Sequence, residues 1–435
     1  MTQREEYLSP LPSVAEEVQN FYDRYPYPPA VDNLEKYQQL WRDPGRRRAD
    51  CHLFWPDRPY REDYSILIAG CGTSQAAKHA MRWPAAQVTG IDVSATSVRC
   101  TEELKRKYNL ANLQIHQLPI DRLDELEKTY DQIVCTGVLH HLSNPDDGLA
   151  ALRGALKPDG AMHLMLYAPY GRTGVYMLQE FCRRISIRPT DEGIRELISA
   201  LRLLPPGHPL ETLLQQAPDF RQEAALADAL LHPQDRAYSV PQLFEFIEKA
   251  RLKFGRWVKQ ASYSARCGVM ARVLPLTKLP LAEQYAAAEL FRGTMVRHSV
   301  IAYRDDTPVD SPAISFAGDA WLRYVPIRMP ETISVQERLP SGAASVLINK
   351  SHTYTDIFLT VNATEKRLFD AIDGNRTIGD ILKTTLPTSQ GQSQRDAART
   401  FFEKLWWHDQ VVFDTSGRHS GLATSVSQRS EMERL

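Results

Sequence analysis

The chain predicts an α/β fold, a doubly wound parallel sheet with helices on both faces, and three observations carry that expectation. From Ser65 onward, apolar runs of strand length alternate with helical stretches, the pattern of a parallel sheet. The first run ends in a glycine turn that opens a helix. The second ends in a carboxylate, Asp92, 20 residues beyond Gly72.

Ile66, Leu67, Ile68 and Ala69 suit a strand buried on both faces. Gly70-Cys71-Gly72 lets the backbone turn tightly at its end, and Gln75 to Arg82 reads as a helix that Pro84 stops. Such a turn aims free amides at whatever docks there. Val88 to Val93 is the second strand, and its Asp92 has the spacing that brings a carboxylate to the ribose of a bound nucleoside. Leu113 to Gln117, Asp131 to Thr136 and Ala161 to Tyr167 read as the third, fourth and fifth strands. Between the last two, Leu149, Leu152 and Leu156 fall on one helical stripe, and Lys157-Pro158-Asp159-Gly160 reads as the turn that ends it.

The 435 residues allow two or three domains. The 52 basic and 53 acidic residues balance, so no global charge recruits nucleic acid or a membrane surface. No window approaches about 18 uninterrupted apolar residues, and the first 17 residues are polar and acidic without an apolar signal core. The expectation is a soluble, cytoplasmic protein. The six cysteines are scattered without a Cys-x-x-Cys pair, as reduced thiols would be, and no metal-ligand set is read.

Tyr130 to Leu142 reads YDQIVCTGVLHHL and is followed by NPDDGLAALRGALKPDG and AMHLMLYAPYG. With the glycine turn and Asp92, this order resembles the class I S-adenosylmethionine-dependent methyltransferases, over about Ser65 to Gly171. The resemblance implies a Rossmann-like seven-stranded sheet, S-adenosyl-L-methionine as cofactor, and methyl transfer to a small-molecule or a peptide or protein acceptor. Leu252 to Ser262 then supplies the sixth strand and Arg297 to Arg304 an antiparallel seventh. By position, Gly70, Cys71, Gly72 and Ser74 would approach the methionine part of the cofactor, with Asp92 and Val93 at the ribose. Gln117 and Leu118 would lie at the adenine and Thr136 near the methyl group. Two positions depart from the family pattern. Ile68 stands where an acid often meets the cofactor's ammonium, and Ser74 stands where a third glycine is usual.

Methyl transfer from a sulfonium is an in-line displacement that needs positioning more than any one side chain. His140, His141 and Tyr167 are the candidate catalytic residues, a histidine near neutrality being able to take an acceptor's proton. The alternative is that the histidines hold the loop together. Tyr25 and Tyr27, in the aromatic stretch FYDRYPYPP, and Tyr170 and Arg172, after the fifth strand, are candidate acceptor contacts. The same residues serve equally as a packed wrap and a sheet cap. Two other functions stay open here: a cofactor-binding regulatory protein without turnover, which Ile68 favours, and a nicotinamide-dependent oxidoreductase. Against the latter, the turn reads GCGTSQ, not G-x-G-x-x-G.

The expected domains are an N-terminal extension or lid over 1–64, a catalytic domain over 65–306 with a helical insertion at 172–235, and a linker over 307–320. A small α+β, winged-helix-like accessory domain follows over 321–415, then a disordered tail over 416–435. Within the insertion, Val175 to Ile187 and Asp191 to Leu204 read as helices, with breaks at Pro205-Pro206-Gly207 and Pro218. Ser239 and Gln242 form a helix start signal. Arg46-Arg47-Arg48 reads as a solvated face. In the accessory domain, VLINK and TDIFLTV look like paired strands, and LFDAIDGNRTIGDIL weakly resembles peptide-recognition domains. Nine basic against eleven acidic residues over 331–415 argue for a peptide or protein partner there and against duplex DNA.

Overall fold

The computed structural model describes residues 13–211, 214, 222–306, 314–386 and 392–417. Strands β1 (Ser65–Ala69), β2 (Gln87–Asp92), β3 (Leu113–Gln117), β4 (Tyr130–Thr136) and β5 (Leu156–Tyr167) pair in parallel, and β6 (Leu252–Trp257) and β7 (Arg297–Arg304) complete the sheet. The order is β3-β2-β1-β4-β5-β7-β6, with β7 antiparallel to both of its neighbours. The chain winds outward from β1 to β3, then returns to place β4 on the other side of β1. That reversal opens a crevice at the carboxyl ends of β1 and β4, where sheets of this kind bind ligands. The apolar run of β1 explains its central place, since Ile66 and Leu67 are fully buried.

Helix α1 (Val14–Arg24) opens on a capping box, Ser13 with Glu16, and the prolines at 26, 28 and 29 keep the following segment out of a helix until the short α2 (Glu35–Trp41). The eight-residue α4 (Gln75–Arg82) and α5 (Ala95–Lys107) make the first two crossovers. After α6 (Pro145–Ala155), the fifth strand begins earlier than expected. Leu156 pairs with Tyr130, Ala161 pairs with Gln132, and Lys157 to Gly160 bulge between them instead of forming a free turn. Leu156 therefore leaves the helical stripe but stays fully buried in the sheet. The insertion forms α7 (Thr173–Arg184), α8 (Asp191–Leu201) and α9 (Glu223–Leu230), packed with Phe21 and Tyr25 of the N-terminal region in a core of their own. Pro218 lies outside the described residues. Helix α10 (Val240–Lys249) starts on the Ser239–Gln242 capping box that the spacing foretold.

Contacts divide the described chain into two units, one of residues 13–43, 62–306 and 352–357, the other of 44–61, 314–351 and 358–417. This departs from the expected boundaries twice. Helix α3 (Pro44–Phe54), expected in the N-terminal extension, belongs to the second unit, and its arginines are not a solvated face. Arg46 pairs with Glu331, and Arg48 with Asp414 at 3.2 Å and with the Gly374 carbonyl, so the charges serve packing. The segment 352–357, expected in the accessory domain, belongs to the first unit, where Asp356 accepts hydrogen bonds from Arg292 (3.1 Å) and from the Val269 amide (2.8 Å).

Within the second unit, β8 (Val325–Arg328) pairs with β12 (Val411–Asp414), and β9 (Thr332–Val335), β10 (Ser345–Asn349) and β11 (Leu359–Val361) form a small antiparallel sheet. The β10–β11 pair, the Asn362 and Thr377 caps and the buried stripe Ala398, Phe401, Phe402 and Leu405 follow the sequence. β8 was not read, since Pro326 sits inside it. Of the expected linker and tail, 307–313 and 418–435 lie outside the described residues.

Truncation after Asp306 removes 352–357 and leaves Arg292, whose side chain is 4% exposed, without Asp356. The expected outcome is a loss of about 3 kcal/mol in chemical denaturation of the first unit. A truncated protein as stable as that unit in the full chain contradicts this.

Candidate active site

Two glycines shape the turn after β1, and each is required by what lies beside it. Gly70 has φ +68°, and a Cβ there would meet Val138 Cγ2 at 2.2 Å. Gly72 has φ +53°, and its Cβ would press Pro28 Cδ at 3.3 Å. The Gly72 amide donates to Asp92 Oδ2 at 2.8 Å, and the Ser94 amide donates to Asp92 Oδ1 at 2.9 Å. Thr101 Oγ1 donates to the Gly72 carbonyl at 2.9 Å. The turn is thereby tied to the end of β2 and to α5. Burial raises the Asp92 pKa, and the amide bonds from Ser94 and Gly72 oppose that rise. Ser74, in the place of a third glycine, has φ −156° and needs no glycine; its buried hydroxyl has no partner among the described residues.

A cleft of about 1120 Å³ runs from this turn across the carboxyl ends of β4 and β5. Gly70, Gly72, Gln75, Lys78 and Asp92 line one end, with Leu118 beside them. The N-terminal segment docks there, because Thr73 Oγ1 donates to the Pro28 carbonyl (2.8 Å) and Asp23 accepts from Ser94 Oγ (2.8 Å) and the Thr96 amide (3.2 Å).

The other end is a buried polar cluster. Tyr22 Oη donates to Asp228 Oδ1 at 2.9 Å and Tyr167 Oη donates to Oδ2 at 3.4 Å. Burial pushes Asp228 up, which His141 and the Tyr22 hydrogen bond counter, and burial also drives both phenols well above the tyrosine range. The Arg172 guanidinium lies 3.5 Å from the Tyr167 ring centre and donates to Asp235 Oδ2 at 2.9 Å. Burial works against that charge, but Tyr167, Asp235 and Tyr176 more than offset it. His141 Nδ1 donates to the Gln234 carbonyl at 2.7 Å, and its ring stacks on His232 with centroids 3.9 Å apart. The donor atoms of His141, Asp228 and His232 all lie within 4.8 Å of one another, a grouping no sequence reading contained.

Of the residues expected at the cofactor, Gly70, Gly72, Asp92, Val93, Leu118 and Thr136 border the cleft. Cys71 and Ser74 are fully buried and do not line it, and Gln117 instead donates to the Val93 carbonyl at 3.1 Å. Of the catalytic and acceptor candidates, His141, Tyr167, Tyr27 and Arg172 border the cleft. His140 is fully buried behind Tyr167, at 3.9 Å between ring centres, with neither ring nitrogen partnered among the described residues. Tyr25 packs in the insertion core and donates to Asp191 at 3.3 Å, and Tyr170 is exposed off the cleft. Asp228, His232 and Asp235 were missed. They sit in an insertion whose only local signal is the polar string LHPQD after an apolar helix.

Gly70→Ala is expected to destabilise the chain by about 1–3 kcal/mol from the left-handed backbone alone. Gly70→Ala with Val138→Ala should recover the part due to the clash, as chemical denaturation would measure. Burial also lowers six histidines, among them His79 to about 3, His163 to about 4, His232 to about 2, and His140 well below its ordinary value, with His52 and His116 lowered as well. The unfolded chain therefore binds protons these groups refuse in the fold. Stability is full above the unfolded histidine pKa of about 6.5 and falls as pH drops below it, by up to about 1.4 kcal/mol per pH unit per histidine. Thermal unfolding from pH 7.5 to 5 should show this, with a shallower slope for His79→Gln.

Residues 67–162 match the family described as a methyltransferase domain. An uncharacterized protein of Synechococcus sp. is 32% identical over 56% of this chain and 60% of its own length. Malonyl-[acyl-carrier protein] O-methyltransferase of Halalkalibacterium halodurans is 31% identical over 27% of this chain and 44% of its own. The chain thus spans less than two thirds of these relatives. The fold is similar to that of PKMT2 from Rickettsia typhi, solved in complex with AdoHcy, with a TM-score of 0.59, 16% identity, and 89% and 77% of the two chains covered. The matched segment and the strand order together identify residues 67–162 as the core of a methyltransferase domain on a Rossmann-like sheet.

Proposed function

We propose that the protein is an S-adenosylmethionine-dependent methyltransferase whose cofactor binds along the Gly70 turn and whose acceptor enters from the Tyr167 side of the cleft. The observation that carries this is the Asp92 carboxylate, braced by the Gly72 and Ser94 amides at the crevice where the sheet reverses its winding. Each oxygen keeps a lone pair for a ribose hydroxyl. The bare backbone at Gly70 and Gly72 leaves room for close approach. Leu118 offers an apolar face to a base. Lys78, one turn into α4, is placed to meet the carboxylate of the methionine part.

Ile68 is 2% exposed in the core of β1, so the ammonium of the methionine part takes its hydrogen bonds elsewhere, and the Gln75 side chain at the cleft wall serves that need. When bound, the cofactor supplies an electrophilic methyl group on sulfur. The chain's own part is to orient the acceptor against it and keep water out, which the docked segment Tyr22 to Pro29 does at the cleft mouth. The oxidoreductase reading loses support, because an antiparallel strand, β7, stands between β5 and β6 where dinucleotide-binding sheets continue in parallel. A winged-helix likeness for the second unit, with a peptide or protein partner, is supported by its strands, three helices and closing strand, by the LFDAIDGNRTIGDIL resemblance and by the balanced charge.

Asp92→Ala is expected to weaken S-adenosylhomocysteine binding by about 1–3 kcal/mol, read by calorimetric titration against wild type. Unchanged affinity removes Asp92 from the site and the reading with it.

A further inference from the structure

We propose that the Asp228 end of the cleft seats a primary amine, which enters as its ammonium ion, and that His141 takes the proton that frees its lone pair. This deepens the methyl-transfer reading and rests on it.

The Gln234 backbone addresses two rings in opposite senses. Its carbonyl can only accept, and it lies 2.7 Å from His141 Nδ1. That nitrogen carries the proton, so the neutral ring has its lone pair on Nε2. The Gln234 amide can only donate, and it lies 3.0 Å from His232 Nδ1. There the lone pair is on Nδ1 and the proton on Nε2. Both Nε2 atoms are buried and have no partner among the described residues.

The two phenols have each spent their one proton on Asp228. Tyr22, Tyr167, Asp228 and His141 border the cleft, whereas His232 stacks behind His141. These four side chains therefore offer phenol oxygens, a carboxylate and an imidazole lone pair, all of them acceptors. Arg172, which also borders the cleft, donates to Asp235 and to Tyr176 (3.2 Å). The Asp235 charge offsets its own and leaves Asp228 as the uncompensated charge of the cluster. A carboxylate or phosphate ligand meets the like charge of Asp228. An alkylammonium brings three donors and a positive charge, which the Asp228 carboxylate and the phenol oxygens of Tyr22 and Tyr167 suit.

The proton balance closes on the same atoms. The ammonium gives one proton to His141 Nε2, and the freed lone pair forms the C–N bond. The C–S bond of the methyl donor breaks with its electron pair left on sulfur, and His141 then returns its proton to water. The groups facing His141 are Tyr22 from α1, Tyr167 from β5, Arg172, Asp228 from α9, His232, and its neighbour His140. A metal centre at His141, Asp228 and His232 is disfavoured by the same hydrogen bonds, because the Gln234 amide already occupies the His232 lone pair.

The test is ring nitrogen NMR of the full chain labelled at histidine and saturated with S-adenosylhomocysteine, with peaks assigned by His141→Gln and His232→Gln. His141 should read as the Nδ1–H tautomer and His232 as the Nε2–H tautomer. n-Butylammonium chloride should shift the His141 signals and sodium butyrate should not, and Asp228→Asn should need at least tenfold more of the amine. The same tautomer on both rings, a response to butyrate in place of the amine, or one equivalent of zinc chloride bound through both rings overturns the proposal. Saturation by S-adenosylhomocysteine with no amine response overturns the amine seat alone, whereas failure of S-adenosylhomocysteine to bind overturns the reading beneath it.

Discussion

The carboxylate of Asp92 takes one amide from the glycine turn and one from the start of α5, and the geometry of the cleft follows from that pair of bonds. They hold the end of β2 against the end of β1, so the turn cannot relax toward a conformation that a Cβ would tolerate. Gly70 and Gly72 are the residue types that accept this constraint, with Val138 packed where a side chain at Gly70 would be. The Asp23 contacts to Ser94 and Thr96 then fix α1, and with it Tyr22, over the far end of the cleft. The two ends of the cleft are thus positioned by one chain of hydrogen bonds.

The Asp228 end of the cleft is costly to bury and is arranged to limit that cost. Phenol protons are matched to the carboxylate, the guanidinium to Asp235, and the rings of His141 and His232 to opposite ends of one peptide unit. Among the described residues, what remains unpaired in this cluster is His141 Nε2, His232 Nε2, Asp235 Oδ1 and both nitrogens of His140. Only His141 borders the cleft, which separates a chemical role for it from a packing role for His140.

The sheet was legible because its strands are continuous apolar runs with glycine and proline punctuation, and α4 began and ended where the residues said. The geometry of the glycine-turn end of the cleft was legible for a related reason: a glycine turn and an acid at fixed spacing are local features. The Asp228 end was not, since Asp228 and His232 meet Tyr22 and His141 only through long-range packing of an insertion with no motif of its own. Position after a strand end placed Gln117 at the cleft, yet its amide is spent on the Val93 carbonyl. Arg46 and Arg48 read as solvated because their partners, Glu331 and Asp414, lie hundreds of residues away. The strand pairing of Leu156 overrode its helical spacing for the same physical reason, tertiary hydrogen bonding beating local pattern.

The central claim is that a cofactor of the S-adenosylmethionine type lies against the Gly70 turn and Asp92. Hydrogen exchange measured by mass spectrometry on the full chain, with and without S-adenosylhomocysteine, and with NADH in parallel, tests it most directly. The account requires slower exchange in peptides that contain residues 70–75 and 92–97 with S-adenosylhomocysteine and none with NADH. Protection by NADH, or protection by S-adenosylhomocysteine that leaves those peptides unchanged, would contradict it.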